Sequence, residues 1–285
     1  KTDTFTFDVR AVSDVVIILD DSPSFARQHA NTRVELDRLA AYLNAINRSV
    51  NSRVAFTTTD VSATGLRGRF RSMDGGQRWA SGDDPSFLST FAALSMLSTS
   101  GAEHQSCIEA AARAVTGPLR ADPQANGGFA RQNASLSLLC VTDDVENAAD
   151  PAVWRRQLES LDAGIRLGYS VMGPFGSACA VDALDVDGGH LASVRAFNGT
   201  WSDVCRPWQI YGLTGPPSQR LSFFLSGSPV VASLRVALGG VELQRESGSQ
   251  TNWTYNVGAN AITFMPSALG LDPPTVTVTY QTHCR

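Results

Sequence analysis

Residues 14–25 read DVVIILDDSPSF: an apolar run, 15–19, passes straight into Asp20, Asp21, Ser22 and Ser24. Asp20, Ser22 and Ser24 are spaced i, i+2, i+4, so a tight turn after a strand can bring their oxygens to one side. A second junction of this kind is LLCVTDDVEN, where an apolar run ends in Asp143 and Asp144. Two carboxylates and two hydroxyls make a hard-oxygen donor set, suited to Mg2+, Mn2+ or Ca2+ and unsuited to zinc. Aspartates crowded at one edge repel each other unless a cation joins them. The plain alternative is that these serines and aspartates cap the next helix, which calls for the same residue types. For Ser24 alone the two readings stand level.

Neighbouring polar residues extend the list. Asp21, Asp144 and Glu146 flank the two junctions as rim charges that can add ligands or meet a partner. Asp60, at the end of TTTD, lines the same edge or caps its strand. His29, His104, His190 and His283 show no metal spacing, and His104 lies where it can contact a partner. Asp182, Asp185 and Asp187 in AVDALDVDGG have the look of a calcium loop but lack the closing glutamate. An aspartate at a strand end followed by serine also suits a Mg2+-dependent hydrolase or phosphotransferase. Phosphatases of the haloacid-dehalogenase type need a second aspartate where Ser22 stands. No G-x-S-x-G elbow for a serine hydrolase exists either.

The elements that must hold these groups follow from hydrophobic period. The run 15–19 and SLSLLCV (135–141) are continuous enough for strands covered on both faces. Leu36, Leu39, Ala40, Leu43 and Ile46 form one helical stripe. RVAFTTTD is another strand, GRFRSMD a short edge strand, and RLGYSVMG a further one. SCIEAAARAV is helical through Ile108, Ala111, Ala112 and Val115, and Asp150 caps a helix that opens on Pro151. HLASVRAFNG is a short helix closed by Gly199. This alternation predicts an α/β domain over 14–216, with a doubly wound, mostly parallel sheet whose ligands sit beyond the strands' carboxyl ends. After Pro216 the period falls to two in short strands, with Gly239 and Gly240 as a two-residue hairpin turn. The opening TDTFTFDV alternates likewise. Residues 1–13 and 217–285 are therefore expected to form one small all-β, sandwich-like domain. Trp201, Trp208 and Trp253 are read as packing anchors.

Asp20-x-Ser22-x-Ser24 after an apolar strand resembles the metal-ion-dependent adhesion site of von Willebrand factor type A domains, shared by integrin I domains. VTDD resembles their later aspartate motif, and the likeness covers most of residues 14–215. The longer layout of VSDVVIILDDSPSF, VAFTTTDV, GAEHQSCIEAA and LLCVTDD, then a Cys-flanked segment and a β-module, is similar to bacterial, myxobacterial-type surface lipoproteins and adhesins. The resemblance implies direct metal ligation by Ser22 and Ser24, with Asp20 and Asp143 coordinating directly or through water. It implies an open position for an acidic side chain of a protein or surface ligand. It further implies an extracellular or outer-membrane-associated place in a bacterium, with a lipid anchor upstream of Lys1. The family's middle-loop threonine has no match in GAEHQSCIEAA; Thr99, Glu103 or Gln105 stand in its place. A direct Glu103 ligand would shift the preference towards Ca2+. Pro23 occupies a position where the family often has glycine and restricts Ser22 to extended geometry. Phe25 is read as core.

At 285 residues and a net charge of −4, the chain can bury a full core and lacks the basic stripe of a nucleic-acid binder. Its apolar runs are far short of a membrane span. Of five cysteines, Cys179 and Cys205 flank a loop-rich stretch and are expected to bridge. Cys107 and Cys140, in apolar contexts, are read as buried free thiols ahead of the alternative, a second bridge. Adhesion or protein interaction through a cation, metal-dependent hydrolysis, and a structural envelope or fibre role with the site unused are the three functions this reading carries.

Overall fold

The computed structural model describes residues 1–6, 11–47, 50–74, 76–102, 105–131, 134–161, 165–173, 189–208, 222–247, 250–257, 260–264 and 275–282. The chain divides into two compact units, Val12–Ser218 and a smaller one made of Lys1–Ala11 with Gln219–Arg285. The first strand, β1 (Thr2–Thr6), lies in the smaller unit. The larger unit then runs through β2 (Ala11–Leu19), α1 (His29–Ile46), β3 (Val50–Thr58), β4 (Trp79–Ser81), α2 (Phe87–Leu94) and α3 (Cys107–Val115). It continues with α4 (Gly117–Ala121), β5 (Ser135–Val141), α5 (Pro151–Glu159), β6 (Arg166–Gly173), α6 (Gly189–Ala196) and β7 (Trp201–Asp203).

The six described strands of this unit form one sheet in the order β4-β3-β2-β5-β6-β7. Strand side chains alternate between faces, and β2 shows why its apolar run is unbroken. Val15, Ile17 and Leu19 pack with Leu36, Leu39 and Leu43 of α1. Val16 and Ile18 pack with Ile108 and Ala111 of α3 and Leu158 of α5 on the other side. Helices α3 and α5 start on side-chain caps: Ser106 Oγ accepts from Glu109 N at 3.2 Å, and Asp150 Oδ1 accepts from Ala152 N at 3.0 Å. Strands β2, β5, β6 and β7 pair in parallel, so their carboxyl ends share one edge.

In the smaller unit, β1 is followed by β8 (Ser222–Phe224), β9 (Arg235–Leu238), β10 (Val241–Glu242), β11 (Glu246–Ser247), β12 (Gln250–Thr251), β13 (Trp253–Asn256), β14 (Ala261–Phe264) and β15 (Thr275–Thr279). β1 pairs antiparallel with β15, Phe5 opposite Val276. The β9–β10 hairpin turns on Gly239 and Gly240 at φ +56° and +85°, the two positive angles a tight twisted hairpin demands. Phe223, Val236, Trp253, Ile262, Val276 and Val278 form the core of this unit.

Four expectations are corrected. A doubly wound, mostly parallel sheet with a single sandwich-like companion does not describe the chain. The large sheet is mixed, because β4 pairs antiparallel with β3, Val54 opposite Ala80. The described residues of 59–78 hold no helix to carry a parallel crossover, so a neighbour reached that way must run back. The described strands of the smaller unit fall into separate antiparallel sheets, β1-β15-β9-β10, β13-β14-β8 and β11-β12. The edge strand is Trp79–Ser81 and not GRFRSMD, which is irregular over its described residues; Phe70 N there donates to Asn126 Oδ1 at 2.8 Å, outside any ladder. Finally, Cys107 and Cys140 are joined in a disulfide, Cα atoms 5.9 Å apart, because α3 packs against the face of β5 that carries Cys140. Cys205 is also disulfide-bonded, while Cys179 lies outside the described residues. Trp208 and Trp253 are buried, but Trp201 is 57% exposed.

Candidate functional site

Where β2 and β5 end side by side, Asp20 N donates to Val141 O at 2.9 Å and carries the ladder one step past the strand. That step fixes Asp20, which is fully buried. Its Oδ1 accepts from Ser22 N at 2.8 Å, closing a turn that places Ser22 above the strand end. The Ser22 and Ser24 hydroxyls lie 2.8 Å apart. Pro23 between them is helical (φ −60°, ψ −31°) and leads into a 3-10 turn, Ser24–Gln28, ahead of α1. Phe25 is buried in the core.

From β5, Thr142 Oγ1 donates to Asp20 Oδ2 at 2.5 Å and accepts from Asp144 N at 3.0 Å. This hydroxyl ties the two loops together, a role not foreseen from the sequence; its only signal there is a β-branched hydroxyl between an apolar strand and two aspartates. Asp20, Asp143 and Asp144 each bring a carboxylate oxygen within 4.8 Å of the others. Asp143 Oδ1 is buried and accepts no hydrogen bond.

Charge crowding leaves its mark on two carboxyls. Burial, then Asp20 and Asp144, push Asp143 up to about 6, against the opposing pull of Arg27. Burial, then Asp60, push Asp21 up to about 6, with the Thr58 hydroxyl pulling the other way. Both values lie above the ordinary aspartate value of 3.8, so the folded chain takes up protons that the unfolded chain releases until much lower pH. Without a cation, stability therefore rises as pH falls from above 6 towards 4. The midpoint of a thermal melt in EDTA is expected to be higher at about pH 5.5 than at about pH 7.5, and Asp143→Asn is expected to flatten that difference.

The remaining predicted residues are dispersed. Asp60 caps two loops, its Oδ1 accepting from Ser62 N at 2.8 Å and its Oδ2 from Ala102 N at 3.2 Å. The Gln105 amide is committed to a tie between two loops, accepting from Thr59 Oγ1 after β3 and donating to Ala102 O. Thr99 is exposed. Glu146 is turned inward, its carboxylate accepting from Ile108 N and Ala148 N, each at 3.0 Å, because the first turn of α3 needs acceptors there. His190 Nε2 lies 3.2 Å from Asp144 O. Glu103, His104, His283 and the aspartates at 182, 185 and 187 lie outside the described residues.

No family model matches the chain, and no curated protein matches it. Solved structures similar to it include the pilus adhesin SpaC of Lactobacillus rhamnosus GG in its open conformation, at 11% identity and a TM-score of 0.44, over 96% of this chain and 39% of that one. Another is proximal thread matrix protein 1 of the mussel byssus, at 10% identity and a TM-score of 0.37, over 58% of this chain and 39% of that one. The chain thus spans about two-fifths of the length of each. Likeness at these scores assigns no function.

Proposed function

We propose that this chain is a cation-dependent binding module, in which Asp20, Asp143, Ser22 and Ser24 hold Mg2+, Mn2+ or Ca2+ and an acidic group of a protein or surface partner completes the site. The observation that carries the reading is Asp143 Oδ1, buried without a hydrogen-bond donor beside two further carboxylates. An acceptor left so is costly unless something electropositive meets it. The donors are oxygen alone, which fits a hard cation. A dication held partly by neutral hydroxyls keeps enough charge to draw an outside carboxylate.

The protein's own residues prepare this site. Thr142 holds Asp20 and Asp144 in register, and the turn at Ser22 presents both hydroxyls together. The Cys107–Cys140 disulfide supports a place outside the reducing cytosol, where such a surface partner is met.

The test is a thermal melt of the full chain with Mg2+, Mn2+ or Ca2+ against EDTA. A cation at a hundredfold excess over its Kd is expected to add about 2.7 kcal/mol of stability. Ser22→Ala with Ser24→Ala, and separately Asp143→Ala, are expected to remove that gain. A melt that no cation moves overturns the reading.

A further inference from the structure

The same unit carries an open pocket of about 690 Å3 that this cation reading does not use. Asp21 and Asp60 line it, 8% and 3% exposed. Asp60 is engaged by Ser62 N and Ala102 N, one to each oxygen. Asp21 is less fully provided for, with the Thr58 hydroxyl as its side-chain partner. Its Oδ1 is buried and accepts no hydrogen bond, held against Gly101, where an added Cβ would stand 2.4 Å away. Apolar walls rise around these carboxylates from Leu66, Leu94, Met96 and Leu97, with Met96 66% exposed.

Two cations also line the pocket, and neither hydrogen-bonds Asp21 Oδ1, although the Arg71 charge acts on that carboxyl and opposes the upward push of burial. The Arg71 guanidinium donates to Leu94 O at 3.4 Å and to Met96 O, so it is spent on the loop after α2. Arg69 is exposed. A buried carboxylate short of donors beneath an aliphatic sleeve is the counterpart of an ammonium on an alkyl stem. A guanidinium fork wants both oxygens of one carboxylate, whereas an ammonium is a point charge with three rotatable donors and can be shared between carboxylates from separate loops.

We infer that this pocket receives a lysine side chain of a protein partner, its ammonium at Asp21 and Asp60 and its methylenes along Leu66, Leu94 and Met96. The inference does not depend on a cation at Asp20 and Asp143, and its test is run in EDTA to keep the two apart.

The probe is Nα-acetyl-L-lysine methylamide titrated into the 15N-labelled full chain, with the norleucine analogue as the uncharged isostere and Nα-acetyl-L-glutamate methylamide as the anionic control. Saturable shifts of the Gly65 and Gly101 amides are expected with the lysine probe alone. Asp21→Asn is expected to weaken binding about tenfold or more. At the exposed Met96 position, where folding is not at risk, Met96→Glu is expected to tighten it several-fold and Met96→Lys to weaken it. Equal affinity for the norleucine or glutamate probe, no saturable shift, or indifference to Asp21→Asn and to both Met96 variants overturns the inference.

Discussion

Arg131→Ala is expected to cost about 3–5 kcal/mol of folding stability, the largest single effect among the substitutions considered. Asp14, near the start of β2, has a fully buried side chain. Arg131 meets it with Nε at 2.9 Å and Nη2 at 2.6 Å on Oδ1, and its backbone N donates to Oδ2 at 2.8 Å. The same guanidinium donates to Asn51 Oδ1 at 2.6 Å and Asn51 O at 2.9 Å, so one side chain joins the starts of β2 and β3 to the segment before β5. Burial still outweighs Arg131 and holds the Asp14 carboxyl above its ordinary range, which shows how little margin the pair has. Removing the arginine leaves a carboxylate in the interior with its main counter-ion gone. Urea unfolding is expected to show a lower midpoint with an unchanged slope. Asp14→Leu with Arg131→Met is expected to recover most of the loss, since the cost lies in the orphaned charge and not in the missing attraction. An Arg131→Ala midpoint within about 1 kcal/mol of wild type would mean that water reaches Asp14.

How much of this was legible beforehand divides along the range of the interaction. The apolar run of β2 and that of β5 announce themselves because both faces are covered, and the Leu36, Leu39 and Leu43 stripe because one face of α1 is. Asp150 before Pro151, and Gly239 before Gly240, act within a few residues and could be read directly. Strand β4 could not. Three residues carry no period, and its antiparallel sense depends on the path of residues 59–78. Long-range pairs were equally opaque: Cys107 meets Cys140 across 33 residues, and Asp14 meets Arg131 across 117. The spacing of Asp20, Ser22 and Ser24 singled out those residues. It did not say that Thr142 would take one oxygen of Asp20, that Glu146 would turn inward to α3, or that Asp143 Oδ1 would be left without a donor.

Loss of the Cys107–Cys140 bridge should be nearly as damaging, and it reaches the site as well. The bridge closes a loop of sequence separation 33, for which the chain-entropy argument gives about 3–4 kcal/mol. Cys140 lies two residues before Thr142, and Cys107 opens α3 directly after the Ser106 cap and the Gln105 loop. The bond therefore pins the strand end that carries Thr142 and Asp143 to the start of α3. Cys107→Ala with Cys140→Ala removes that tie while leaving small apolar groups in a region that is already alanine-rich. The double variant is expected to lose about 2–4 kcal/mol in urea unfolding, and a reductant is expected to lower the wild-type midpoint to match it while leaving the variant unmoved. Under the cation reading the variant should also bind Mn2+ more weakly while still folded, because Asp143 would no longer be held beside Asp20. Unfolding curves that coincide with and without the bridge would show that packing of α3 on β5 alone holds this edge of the sheet.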